Sequence, residues 1–184
     1  MSLRRGFKAE AERIANEIRK EMRLRATDPA MPRDLAVHLG VEVRSGDELA
    51  PLSRFQELES IQPGAFSACT FRPAPERIVV VLNPLSTEAR RNSDLAHELA
   101  HIILEHELSR MERLGDLTFF VCDAEQEDEA AWLSGCLLLP RPLLVAWLTR
   151  GLSPAEIADQ LKVSDHMVTY RINVTGVRKQ LARR

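Results

Sequence analysis

Apolar residues return every three or four positions from Phe7 through Ala11, Ile14 and Ile18 to Met22, with Glu, Arg and Lys between them. This spacing predicts an amphipathic helix ending near Thr27-Asp28-Pro29. A short second helix is expected over Arg33 to Leu39, stopped by Gly40, and a strand should begin at Val41-Glu42-Val43. Residues 44–64 show no period, so no element is assigned there. Beyond Pro63-Gly64, Phe66 to Phe71 has strand character, Pro73-Ala74-Pro75 interrupts it, and Arg77 to Leu82 is the strongest strand of the chain, ended by Asn83-Pro84. The two strands are expected to pair as a hairpin. At Ser86 or Thr87, both good N-caps, the period turns helical and stays so to about Glu107. Two more helices should follow, from about Ala124 to Leu138, closed by Pro140, and from Pro142 to Arg150, closed by Gly151.

With 184 residues, 45% of them hydrophobic and 28% charged, the chain has the make-up of one main globular body. Apolar runs fall short of the roughly 18 residues a membrane span needs. The first residues alternate in charge where a secretory signal would be apolar, so a cytoplasmic location is expected. Cys69, Cys122 and Cys136 are odd in number and far apart, which suits buried free thiols better than a disulfide framework. Charge is unevenly spread. Residues 94–129 hold eleven acids and two bases, Arg110 and Arg113, while residues 151–184 hold six bases and three acids. A cation would find a favourable field in the acidic stretch.

That stretch contains Leu95-Ala96-His97-Glu98-Leu99-Ala100-His101 inside the long helical segment. Imidazoles four residues apart lie one turn apart on one face, so His97 and His101 can share a metal, with Leu95, Leu99 and Ile102 on the opposite side for burial. Glu98 points about 100° away from His97, beside the metal, where its carboxylate can take the proton of an attacking water. Catalytic zinc usually takes three protein ligands and leaves one position open. Glu129 is the candidate third ligand: Leu133, Cys136 and Leu137 follow it at helical spacing and place it on a buried stripe, where a carboxylate needs a cation. Glu125 and Glu127 are explained as first-turn acids facing the helix dipole. Tyr170 and His166 are weak candidates for an oxyanion donor, and Asp94 for orienting a ligand.

The strand ending in Asn83, the segment Leu95 to His101 and the segment Glu129 to Pro140 resemble, in that order, the motifs of the ImmA/IrrE-type metallopeptidases over about residues 30–150. Ala100 stands for the usual Gly, Ala131 for Asn, and Leu133-Ser134 for Phe-Ala, departures that spare every ligand and the base. The resemblance implies a zinc site, or manganese in its place, with Glu129 as third ligand. It further implies a dedicated protease that cuts a helix-turn-helix repressor after stress or an inducing signal. The substrate is expected to lie as an extended strand beside Ile78 to Leu82.

Residues 151–184 form a separate tail in this reading, after a peptidase body over 1–150. Ser153-Pro154-Ala155-Glu156 is a capping box, and Val163-Ser164-Asp165 supplies a turn and a second N-cap. Ala158, Val163, Ser164 and Val168 are spaced as in a helix-turn-helix. Lys162 fills the turn position usually held by Gly, and Arg171 is the one Lys or Arg between Ser164 and Gly176, with Arg178, Lys179, Arg183 and Arg184 beyond. A helical pair packed on the body is therefore favoured, and the rival is a DNA-binding regulator with a structural metal. The expected architecture is α+β and zincin-like, a small sheet against the His-Glu-x-x-His helix with a C-terminal helical pair.

Overall fold

The computed structural model describes residues 3–106, 110–114, 117–121 and 123–182, with side chains left aside over 110–121. Cys122, Arg183 and Arg184 lie outside the described residues, as do the side chains of Arg110 and Arg113. Helix α1 (Phe7–Glu21) leads to α2 (Pro32–His38), β1 (Val41–Ser45), α3 (Leu52–Ile61) and the hairpin of β2 (Ala68–Ala74) and β3 (Arg77–Leu82). Helix α4 (Glu88–Ile103), a second hairpin of β4 (Arg110–Leu114) and β5 (Leu117–Val121), and α5 (Ala124–Leu138) come next. The chain closes with α6 (Arg141–Thr149), α7 (Pro154–Leu161), α8 (Asp165–Thr175) and α9 (Val177–Leu181). This is the mixed α+β architecture expected of a zincin-like domain.

Helix α3 has no buried residue, and a helix that buries nothing carries no apolar stripe to read. The expected strand hairpin is present, with Thr70 opposite Val80 and Ala68 opposite Leu82. Pro73 does not end β2; the register shifts between Phe71 and Ala74, and an edge strand tolerates the missing N–H.

One expectation fails here. Strand β3 pairs parallel with β1 and antiparallel with β2, so the order is β1-β3-β2 and Ile78 to Leu82 offers no free edge. Its run of Val79 to Leu82 is buried because it is central, with both neighbours present. Among the described residues, the sheet's outer strands are β1 and β2.

Leu95 and Leu99 of α4 are fully buried with Val80, Leu82, Phe7, Leu35, Leu133 and Leu137 in one apolar cluster. A second cluster joins Leu138, Leu139, Leu143 and Leu144 to Ile157, Leu161, Val168 and Ile172, and reaches α4 at Ala96. The core thus runs without a break across residue 150. Hydrogen bonds with α4 help to hold the tail: Ser164 N donates to Ser93 Oγ (2.9 Å), and Asn92 Nδ2 donates to Lys162 O (2.8 Å). Lys162 sits in the left-handed region (φ 51°), which accounts for the Gly usually found at such a turn.

Among the described residues no single helix is long and apolar enough to cross a membrane; α5 and α6 would qualify only together, and a 54° bend separates them. Cys69 and Cys136 are free thiols. Burial pushes Cys69 up to about 11 and Cys136 up to about 12. Since the thiolate is the nucleophile, both should resist iodoacetamide at pH 8 in the folded protein and label fully in denaturant, as read by mass at each site. Fast labelling of Cys136 in the native state would contradict its burial.

Candidate metal centre

Thr87 caps α4 by accepting from Arg90 N (3.3 Å), and the helix runs unbroken through His97, Glu98 and His101. Burying Leu95, Leu99 and Ala100 turns the opposite face outward, so the imidazoles lie at the rim of the core, 29% and 20% exposed. Asp123 caps α5 by accepting from Glu125 N (2.8 Å), and that helix packs across α4. The packing brings Glu127 to the two rings.

His97 Nε2 and His101 Nε2 are 3.0 Å apart. Glu127 Oε2 is 3.0 Å from His97 Nε2, and Glu127 Oε1 is 3.5 Å from His101 Nε2. These three residues can present one donor atom each within 4.8 Å of one another. Neighbouring ligands around a tetrahedral ion with bonds of about 2.1 Å stand roughly 3.4 Å apart, so the spacing fits such an ion. The neighbouring His101 ring and then the His97 ring hold the Glu127 carboxyl well below the usual range. Two ring nitrogens close to one carboxylate favour its charged form.

The residues chosen from sequence divide here. His97 and His101 come together as expected, with Glu98 on the neighbouring side of α4. Its Oε2 accepts from Thr70 Oγ1 (2.5 Å), a tie between α4 and β2 that no sequence period could have revealed. Glu125 is exposed, also as expected. Glu127 does not sit in a merely solvated first turn. Glu129 is buried with other partners: Arg4 Nε donates to its Oε1 (2.8 Å), and His106 Nε2 lies 3.3 Å from its Oε2, while the group of donors that includes His97 and His101 is completed by Glu127. The burial was legible and its cause was not, since a guanidinium and a third imidazole supply the company a buried carboxylate needs.

Asp94 is engaged by Arg90 Nε at 2.9 Å, and burial raises its carboxyl. Tyr170 packs edge-on against Trp132, their centroids 6.5 Å apart, and burial pushes its hydroxyl up to about 12. His106 follows the end of α4 and contacts His101, Nδ1 to Nδ1, at 2.9 Å. Burial, followed by the neighbouring His101, lowers the His106 ring. Reading the motif letters alone passed over His106, five positions beyond His101.

A family model described as Peptidase_M78, the IrrE N-terminal-like domain, matches residues 60–173. No curated protein and no solved structure matches the chain.

Proposed function

Because the chain belongs to the IrrE N-terminal-like family of peptidases, we propose that it is a zinc-dependent peptidase whose metal is held by His97, His101 and Glu127. The observation that carries this reading is the convergence of those three donors on one point at the rim of the core. Manganese is the alternative occupant, since imidazole and carboxylate suit both ions. Zinc held there would supply a Lewis acid for the scissile carbonyl and a lowered water pKa.

The chain's own residues do the remainder. Glu98 accepts the proton of the attacking water and returns it to the leaving amine, while Thr70 holds one of its oxygens and leaves the proton work to Oε1. The substrate is an extended segment that pairs with the outer edge of β2. Support for that docking is the strand's edge position and the reach of Thr70 from it to the general base. The resemblance to ImmA/IrrE proteins makes the partner a helix-turn-helix repressor, cut once in an exposed loop, in a reducing cytoplasm that suits the free thiols. Co-expression with the repressor encoded nearest to this protein, followed by mass analysis, is the test of that partner.

The position of Arg171 favours the peptidase over the rival regulator. Arg171, the one Lys or Arg of α8, is fully buried. It bonds Leu139 O (3.1 Å) and Glu12, which removes it from any groove.

Purified protein should carry about one zinc per chain. His97→Ala should abolish binding and Glu127→Gln should weaken it severely, whereas Glu125→Gln should bind as wild type. Elemental analysis after dialysis is the measurement. Full zinc content in His97→Ala would sink the site, and loss in Glu125→Gln would mean that the wrong turn of α5 has been chosen.

A further inference from the structure

The turn that ends α4 has a defined form. Glu105 N donates to Ile102 O (3.2 Å) and His106 N donates to His101 O (3.0 Å), with Glu105 in the left-handed region (φ 53°). This pair of bonds is the Schellman stop, and it folds the chain back over the last turn of the helix. Five residues of continued helix would carry His106 about 140° around the axis from His101. The reversal instead lays its ring against His101, centroids 5.0 Å apart, with the His106 side chain only 7% exposed.

One arrangement of protons satisfies every contact of His106 in this cluster. Arg4, itself tied to Glu10 (2.7 Å), donates to Glu129 Oε1 (2.8 Å), and an ionised carboxylate can only accept. In that arrangement a neutral His106 ring donates through Nε2–H to Glu129 Oε2 (3.3 Å), and its Nδ1 is left as an acceptor. At 2.9 Å from that Nδ1, His101 Nδ1 must be the donor. A neutral His101 with its proton on Nδ1 keeps the lone pair of Nε2, the atom that faces His97 and Glu127.

We propose that His106 is a positioning residue for the metal centre. Through Glu129 and Arg4 it fixes both the tautomer and the ring orientation of His101. Metal-binding histidines commonly donate their other N–H to a carboxylate or carbonyl; here a second histidine stands in that place and passes the bond on to Glu129. This inference rests on the zinc site proposed above. It also gives Glu129 a role other than ligand.

The test uses the full chain in three variants, His106→Phe, His106→Gln and His97→Ala, with zinc affinity measured by competition against a chelator and the histidine tautomers of metal-free protein read by nitrogen NMR. His106→Phe fills the space without an acceptor and should bind zinc about 10–100-fold more weakly. His106→Gln offers a carbonyl to His101 and an amide N–H to Glu129, and should recover most of that loss. Metal-free wild type should show the His101 proton on Nδ1. Wild-type affinity in His106→Phe, or a His101 proton on Nε2, would overturn the proposal. So would zinc loss in a folded His106→Phe as complete as in His97→Ala, which would make His106 a ligand. If His97→Ala keeps its zinc, the metal site itself fails, and the NMR result still decides whether His106 sets the tautomer.

Discussion

Glu98→Gln is expected to lower peptide hydrolysis by roughly two to four orders of magnitude, the usual contribution of a positioned general base, while zinc content stays at the wild-type level. Glutamine keeps the length and shape of the side chain. Its carbonyl oxygen can still accept from Thr70, so the tie between α4 and β2 survives. His97, His101 and Glu127 are untouched, and only the capacity to take a proton is lost. The measurement pairs kcat on the repressor proposed as substrate, or on a peptide drawn from it, with elemental analysis of the same sample. A near wild-type kcat would remove Glu98 from the chemistry; loss of zinc together with activity would show that it acts through the metal site instead. A repressor left intact by wild type and variant alike would strike out the partner and leave the zinc site standing.

The second large effect concerns stability and lies far from the metal. Arg171 is among the largest fully buried side chains of the described residues, and Glu12 of α1 is its charged partner. Its guanidinium also stands 5.7 Å from the Trp132 ring, and a Cβ added at Gly135 would come within 3.1 Å of its Cδ. Removing one member of a buried pair leaves the other charge uncompensated, at a cost of about 3–5 kcal/mol. Glu12→Ala should sit near the low end, about 3 kcal/mol, because the Glu12 side chain is 37% exposed and water screens part of the interaction. Arg171→Met should cost less, since Glu12 can turn to solvent while methionine fills the space. The double variant should be more stable than Glu12→Ala alone. Urea unfolding of metal-free protein gives all three values. Additive losses in the double variant would mean that the two side chains are not coupled.

This pair also explains why a tail spaced like a helix-turn-helix is part of the body. Spacing reports which residues share a face, and Ala158, Val163 and Val168 do share one. It does not report what lies against that face. Here Leu139, Leu143 and Leu144 cover it, and Arg171, the one Lys or Arg of α8, is turned inward to Glu12.

What the sequence by itself determined is what local geometry determines. His97 and His101 four apart on an unbroken helix must lie on one face, and Leu95 and Leu99 must lie on another. Thr87, Asp123, Ser153 and Ser164 must start helices, because each brings an oxygen to an orphaned N–H. The strand of Val79 to Leu82 had to be buried, since four apolar residues in a row leave no polar face. Tertiary structure alone decided the rest. Glu127 and Glu129 are about 200° apart around α5, and which of them meets His97 and His101 depends on how α5 is rolled against α4, a choice made by all its buried contacts together. His106 comes back to His101 through one left-handed residue, Arg4 reaches Glu129 across 125 positions of sequence, and β3 is central because β1, with Val43 paired to Val80 far along the chain, closes its other side. Each is a contact between residues whose separation in the chain has no period, so no local pattern could have carried it.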